Sequence, residues 1–307
     1  MSSHHEIADC LLVDWGTSTL RAWVLDSSGE VLVRRTSSDG MGKLKTGDFE
    51  GALLALTGDK LRADATTQII VCGMAGARNG WKEAAYREVP CEPVATGGLT
   101  PVETADGRIA VAIVPGLCQL EPADVMRGEE TQLAGLIAER GLTDAVVCLP
   151  GTHAKWARLE GGRVRCFSTF MTGEMFAVMA DHSILRHSLA GDGCDDEAFM
   201  SAVATSLETP QQLTGALFSI RATALLEGLG REAARSRLSG LLIGVELAAT
   251  RNYWEGRTVH LVGTDALAGR YAAAIEFAGG LVERHDAEAL TLAGLSRVRD
   301  LLREEAG

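Results

Sequence analysis

Apolar and polar positions alternate in blocks from the start of the chain. Cys10 to Asp14 is apolar and ends in an acid, Gly16-Thr17-Ser18-Thr19 interrupts, and Leu20 to Leu25 is apolar again before Asp26-Ser27-Ser28-Gly29. Two aliphatic runs parted by glycine and hydroxyl residues predict a hairpin of two strands. Glu30 to Thr36 supplies a third strand. Asp48 to Leu61 carries Phe49, Leu53, Leu54 and Leu56 at helical spacing, and Gln68 to Cys72 is a short β-branched run bounded by Gly73. Further on, Ile109 to Val114 reads as a buried strand closed by Pro115-Gly116, and Arg127 to Arg140 as a helix ended by Gly141.

The same grammar then begins again. Ala145 to Leu149 predicts a strand, Pro150-Gly151-Thr152-His153 a turn, Lys155 to Leu159 a second strand, and Arg163 to Thr169 a third after Gly161-Gly162. A shift of 135 residues lays Gly16-Thr17 on Gly151-Thr152 with little other identity, an echo of fold rather than a sequence repeat. Gly173 to Asn252 is mostly helical, with breaks at Ala190 to Asp195 and around Pro210. A strand from Thr258 to Val262, a helix of small residues from Ala266 to Phe277, a strand from Leu281 to Arg284 and a helix from Ala287 to Arg303 complete the chain. Alternating strands and helices predict an α/β protein. The repeated grammar predicts two domains, residues 1–141 and 142–307, the second with a helical insertion.

Composition narrows the function classes. The chain has 307 residues, 46% hydrophobic and 23% charged, with 29 Lys and Arg against 41 Asp and Glu and a formal charge of −12. Such a balance disfavours a continuous basic face, so nucleic acid is not an expected partner. The most apolar window, Leu238 to Ala249, is interrupted by Glu246 and is shorter than the roughly 20 residues of a membrane span. The first nine residues lack the basic-then-apolar order of a secretion signal, and the expectation is a soluble cytoplasmic protein. Seven cysteines lie far apart with no C-x-x-C pair, which reads as reduced thiols, several of them buried in strands.

The candidate chemistry gathers at the turns. A strand ending in Asp14 and followed by Gly16, Thr17 and Ser18 suits a phosphate: glycine lets the backbone approach, N–H groups face the anion, and the acid can hold hydrated Mg²⁺. An ordinary hairpin explains one such turn equally well. Gly151-Thr152 in a second hairpin and Gly263-Thr264 between a strand and a helix make three, enough to surround a polyphosphate.

At these residues the chain resembles a known superfamily. Leu12-Val13-Asp14-Trp15-Gly16-Thr17-Ser18 is similar to the first phosphate motif of the actin-like ATPases and sugar kinases. Leu149-Pro150-Gly151-Thr152-His153 resembles their second phosphate motif and Val262-Gly263-Thr264-Asp265 their adenosine motif. More narrowly, the block from Gly73 to Ala84, with Arg78-Asn79-Gly80-Trp81, resembles the 2-dehydro-3-deoxygalactonokinases, as do Pro150-Gly151-Thr152-His153-Ala154-Lys155-Trp156 and Phe170-Met171-Thr172-Gly173-Glu174. The resemblance runs over nearly the whole chain. One departure is Ala75-Gly76-Ala77, where relatives are expected to carry a bulkier residue and serine, and it bears on fine substrate selectivity.

The resemblance implies two ribonuclease-H-like, actin-like domains with an interdomain cleft. It implies transfer of the γ-phosphoryl group of ATP, with Mg²⁺, to the 6-hydroxyl of 2-dehydro-3-deoxy-D-galactonate in galactonate breakdown. ATP and phosphates then fall to Asp14, Gly16, Thr17, Ser18, Gly151, Thr152, His153, Gly263 and Thr264, with Asp14 holding the metal through water. The partners implied are the sugar acid and ATP; a homo-oligomer is compatible with the sequence, which does not set it.

For the base that takes the hydroxyl proton, the resemblance of Gly128-Glu129-Glu130 to exopolyphosphatases points to an acid of this pair. Acids in a first helical turn also simply complement the helix dipole. Glu129 shares a helical face with Leu133, Leu136 and Ile137 and is expected to point inward, whereas Glu130 is turned roughly 100° away. Glu130 and Asp124 are the reserves. Arg78, with Asn79, is expected to hold the substrate carboxylate, for which a planar guanidinium is suited. Trp81 either walls the sugar acid or plugs the domain core, and Lys155 faces phosphate or water. Gly40-Met41-Gly42-Lys43 reads as a loop near the substrate or a plain surface loop. His182, His187, His260 and His285 show no metal-ligand spacing and read as structural or exposed. Competing readings are a polyphosphate or nucleotide hydrolase on the same scaffold, disfavoured by the absence of a basic track, and a kinase for a related sugar acid. A nucleotide-gated regulator is disfavoured because the first strand begins already at Cys10.

Overall fold

A computed structural model describes residues 7–189, 193–263 and 265–307. In chain order the first part holds β1 (Cys10–Trp15), β2 (Leu20–Leu25), β3 (Val31–Ser37), α1 (Phe49–Thr57), β4 (Thr67–Gly73), β5 (Tyr86–Glu88), β6 (Thr100–Val102), β7 (Ile109–Ile113), β8 (Gly116–Leu120), β9 (Ala123–Met126) and α2 (Glu129–Arg140). There follow β10 (Ala145–Leu149), β11 (Ala154–Glu160), β12 (Arg163–Phe170), α3 (Thr172–His182), α4 (Asp196–Glu208), α5 (Leu213–Leu226), α6 (Arg231–Ala249) and α7 (Arg251–Trp254). The chain closes with β13 (Thr258–Val262), α8 (Asp265–Phe277), β14 (Leu281–His285) and α9 (Ala287–Ala306).

These elements form two compact units. One comprises residues 1–143, 160–166 and 287–307; the other comprises 144–159 and 167–286. The first unit is built on a six-stranded mixed sheet in the order β3-β2-β1-β4-β7-β6. The second rests on a five-stranded sheet in the order β12-β11-β10-β13-β14. In each, an antiparallel hairpin leads and its first strand pairs in parallel with a later one, β1 with β4 and β10 with β13. The echo read from the two Gly-Thr turns is therefore an echo of strand order.

Strand β1 is apolar from Cys10 to Val13 because both of its faces are covered there. Leu11, Val13 and Trp15 point to a core with Phe49 and Leu53 of α1, while Cys10 and Leu12 point to a second core with Leu295 and Val298 of α9. In the other unit, Val146, Cys148, Trp156, Val259 and Leu261 pack with Ile243 and Leu247 of α6 and with Tyr271 and Ile275 of α8. A further cluster joins Leu185, Ala202, Ile220, Leu238 and Leu242 within the helical part. The apolar window 238–249 lies in α6, and among the described residues no helix is long and apolar enough to cross a membrane.

Two features depart from the pattern in the sequence. A small sheet, β5-β8-β9, and edge strand β6 lie around the expected strand β7 without being expected themselves, because runs of three to five residues carry too little periodicity. The terminal helix α9, next to β14 in sequence, packs in the first unit, along α2 and beneath β1. That contact is close: a Cβ on Gly135 would lie 2.0 Å from the Leu290 carbonyl, and one on Gly294 1.9 Å from that of Thr131. Cys10, Cys72 and Cys148 are buried, Cys194 is exposed, and all seven thiols are free.

Candidate active site

Asp14 stands at the end of β1, where the chain turns into Gly16. Its partner across the hairpin is Arg21, whose Nη2 donates to Asp14 Oδ2 at 2.6 Å. Burial pushes the Asp14 carboxyl above the usual range, against the opposing pull of the guanidinium. The turn closes through Gly16 N–H to the Thr19 carbonyl at 2.9 Å and leaves Thr17 and Ser18 exposed at its tip. The segment Met41–Lys43 is a single 3₁₀ turn strapped to this hairpin, with Met41 N–H donating to Gly16 O at 3.0 Å and Gly42 N–H to Thr17 O at 2.9 Å. Gly40 makes that approach feasible, since a Cβ there would fall 2.3 Å from the Ser18 carbonyl carbon.

Parallel pairing sets Asp14 beside Cys72 and Trp15 beside Gly73 at the carboxyl ends of β1 and β4, where ligands of parallel sheets gather. Gly73 has φ +85° and Gly128, just before α2, has φ +107°. A Cβ on Gly128 would lie 3.4 Å from Gly73 Cα and one on Gly73 3.4 Å from Asp14 Oδ1, so the start of α2 meets the end of β4 beside the end of β1.

The acids that open α2 differ from the expectation. Glu130 is the fully buried one, and Glu129 is only half-buried. Glu130 Oε2 accepts from Gly128 N–H at 2.7 Å and Oε1 from the Thr131 hydroxyl at 3.2 Å, while Glu129 Oε2 accepts from Arg127 N–H at 3.0 Å. Burial, aided by the neighbouring Glu129 charge, lifts the Glu130 carboxyl to about 8. Helical spacing alone misassigned the pair because α2 is covered on more than one side, Thr131 and Gly135 lying against α9. Asp124 is on β9, half-exposed, and accepts from Val125 N–H at 2.7 Å.

Arg78 and Asn79 are exposed at the tip of the loop after β4, with Arg78 Nε 3.4 Å from Glu83. Trp81, two residues on, turns the other way into the core, its ring centroid 5.8 Å from Trp15 and 6.1 Å from Phe49. Of the two readings of Trp81, the structure shows the packing one, with the ring in the core of the first unit. Arg127 closes the base of this loop: Nη2 donates to the Ala84 carbonyl at 2.7 Å and the guanidinium lies 4.4 Å over the Tyr86 ring.

In the second unit, Gly151 and Thr152 meet the first turn of α3. Glu174 N–H donates to Thr152 O at 2.9 Å, His153 Nε2 pairs with Glu174 Oε2 at 2.5 Å, and a Cβ on Gly173 would lie 2.3 Å from Gly151 O. Gly151, Thr152, Thr172, Gly173, Ser239 and Arg270 line a cavity of about 270 Å³ whose apolar wall includes Phe176, Leu242 and Ile243. Beneath it Glu246 accepts from Trp156 Nε1 at 2.7 Å, from the Tyr271 hydroxyl at 2.7 Å and from the Thr172 hydroxyl. Burial raises the Glu246 carboxyl and these three donors draw it down. Lys155 is buried on β11, with Nζ 3.4 Å from His153 O. Gly263 closes β13, its N–H donating to the His285 carbonyl at 3.2 Å; Thr264 lies outside the described residues.

The sequence reading missed Arg21, Arg127, Thr172, Glu246 and Arg270 as parts of these sites. Two of them carried a local signal: Thr172 lies in the Phe170 to Glu174 block, and Glu246 is a lone acid inside the most apolar window of the chain.

The sequence profile of the 2-keto-3-deoxy-galactonokinase family matches residues 14–298. The chain belongs to that family. A family relative in Rhizobium meliloti (strain 1021), named a probable 2-dehydro-3-deoxygalactonokinase, is 44% identical over 295 residues, 92% of this chain and 94% of its own. The 2-dehydro-3-deoxygalactonokinase of Escherichia coli (strain K12) is 35% identical over 273 residues, 88% and 90% of the two chains. Among solved structures, a candidate 2-dehydro-3-deoxygalactonokinase from Sinorhizobium meliloti superposes with a TM-score of 0.86 at 42% identity, covering 95% of this chain and 99% of that one. Component A of the (R)-2-hydroxyglutaryl-CoA dehydratase of Acidaminococcus fermentans shares only the fold, at 13% identity and a TM-score of 0.53 over 95% and 98% of the chains.

Proposed function

We propose that the protein is a sugar-acid kinase that transfers the γ-phosphoryl group of ATP to the 6-hydroxyl of 2-dehydro-3-deoxy-D-galactonate in galactonate catabolism. The observation that carries this reading is membership of the kinase family across residues 14–298, with both curated relatives aligned over nearly their whole length. The two sheets of like strand order support ribonuclease-H-like, actin-like units, the helices between β12 and β13 being an insertion in the second.

Within this reading the second unit takes the nucleotide. The N–H groups of Gly151, Thr152 and Gly173 at the start of α3 present partial positive charge to phosphate, Arg270 adds a full one, and the apolar wall of the cavity suits adenosine. Gly263 and His153 border the same end. Glu246 positions Thr172 by accepting a hydrogen bond from its hydroxyl.

The first unit takes the acceptor. Arg78 and Asn79 hold the carboxylate end of the sugar acid, an exposed pair in the free protein that gains a charge-assisted contact on binding. Glu129, half-buried at the head of α2, accepts the proton of the 6-hydroxyl as it attacks, and Glu130, mostly protonated at neutral pH, fixes the Gly128 turn instead. Thr17 and Ser18, exposed at the tip of the turn that Gly16 closes, offer backbone and hydroxyl donors to the transferring group. The buried carboxylate oxygens of Asp14 form a hard donor set that fits hydrated Mg²⁺, which when bound spreads the negative charge that develops in phosphoryl transfer. Arg21 fixes the rotamer in which Asp14 would hold that ion's water.

The test is ADP release over a panel of 2-dehydro-3-deoxy sugar acids, simple hexoses and polyphosphate. ADP formed only with a 2-dehydro-3-deoxy acid, greatest for the galactonate derivative, supports the reading. Phosphate release without any acceptor would establish a hydrolase instead.

A further inference from the structure

The face of the second sheet at β13 and β14 brings together three metal-capable side chains that lie far apart in sequence. Parallel pairing sets His260 opposite Glu283, and His285 follows two residues along the same face of β14. His260 Nδ1 is 3.0 Å from His285 Nε2 and 3.7 Å from Glu283 Oε2, and His285 Nε2 is 3.8 Å from Glu283 Oε1. Both imidazoles are buried, whereas the glutamate is half open to solvent.

We propose that His260, His285 and Glu283 form a binding site for a divalent transition-metal ion of the zinc type, which cross-links edge strand β14 to β13. Four ligands held about 2.0–2.1 Å from zinc in a tetrahedron lie roughly 3.3 Å apart, and the three observed separations bracket that edge. Closing the triangle needs shifts of a few tenths of an ångström, within the reach of an edge-strand carboxylate. Two imidazole nitrogens with one carboxylate oxygen select zinc or its first-row neighbours over Mg²⁺ or Ca²⁺, which take oxygen ligands. Solvent at the Glu283 side supplies the fourth position. One proton lies between the two imidazoles when they hydrogen-bond to each other; ligation by His260 Nδ1 and His285 Nε2 moves it to the far nitrogen of the donor ring, a change of tautomer with no net proton loss, so both rings bind as neutral ligands.

The proposal stands apart from the kinase reading and is tested without turnover. The full chain, stripped with a chelator, is titrated with Zn²⁺ by calorimetry and with Co²⁺ followed by its visible bands. The expected result is one ion per chain, four-coordinate Co²⁺ bands without sulfur charge transfer, and a higher Tm in Zn²⁺. Glu283→Gln, which replaces an exposed carboxylate by an amide of equal size, and His260→Asn should each weaken binding about tenfold or more. A His4→Ala/His5→Ala double variant should bind as the natural chain does. Absence of saturable Zn²⁺ binding, or binding that survives Glu283→Gln and His260→Asn unchanged, overturns the proposal. Because Glu283→Gln leaves the buried imidazoles in place, loss of binding there is not a loss of fold, which circular dichroism verifies.

Discussion

Asp14 and Arg21 oppose each other across the first hairpin, Oδ2 to Nη2 at 2.6 Å, so the acid that ends β1 is held in one rotamer by the strand it pairs with. Asp14→Asn keeps the shape and removes the charge. Turnover should vanish at every Mg²⁺ concentration, while Tm shifts by no more than about 4 °C, because the burial that raises this carboxyl disfavours its charged form already. Steady-state kinetics across a Mg²⁺ series, beside a melting curve, measures both; full activity at saturating Mg²⁺ would remove Asp14 from the site.

Arg78 makes one long contact, to Glu83 at 3.4 Å, and is otherwise open to solvent. Arg78→Ala should therefore leave stability unchanged and raise the KM for the sugar acid by roughly 10–100-fold, the loss of one charge-assisted hydrogen bond, with little change in the KM for ATP. A change confined to the ATP side would assign Arg78 to the nucleotide.

Trp81 gives the opposite pattern. Its ring completes the cluster with Trp15 and Phe49, so Trp81→Ala should cost about 3–5 kcal/mol in urea unfolding, with Trp81→Phe recovering much of it. If Trp81→Phe were as stable as the natural chain yet lost acceptor binding, the ring would belong to the substrate after all.

Glu129→Gln removes a base while keeping volume, and kcat should fall by about 10²–10⁴ with the KM for ATP nearly constant. The lower end is expected, since proton transfer comes late in a loose phosphoryl-transfer transition state. Asp124→Asn is the control; if it loses kcat and Glu129→Gln does not, the base is on β9.

Glu130 predicts a pH signature of stability. Its carboxyl is raised from 4.5 to about 8 on folding, so between those values the folded state binds the extra proton and stability falls as pH rises. Across pH 5 to 8 the natural chain should lose roughly 3–4 kcal/mol relative to Glu130→Gln, which mimics the neutral acid and has no such slope. Parallel urea titrations of the two proteins read the difference directly, and equal slopes would mean that Glu130 is ionised in the fold.

Local signals in the sequence determined much of this protein. Strands β2, β10 and β13 fall on the runs read for them, because strands covered on both faces are mostly apolar and turn residues end them. The two Gly-Thr hairpins were legible for the same reason, each being a contiguous stretch. The tertiary structure alone decided what depends on a second element. Periodicity names a face of α2 relative to one neighbour, and did not show that Glu130 is buried while Glu129 is only half-buried. Trp81 was ambiguous until Trp15 and Phe49 stood beside it, and Glu246 was only an interruption until Trp156, Thr172 and Tyr271 turned toward it. His260, Glu283 and His285 meet through the register of two parallel strands separated by a helix, and nothing local to either strand encodes that register.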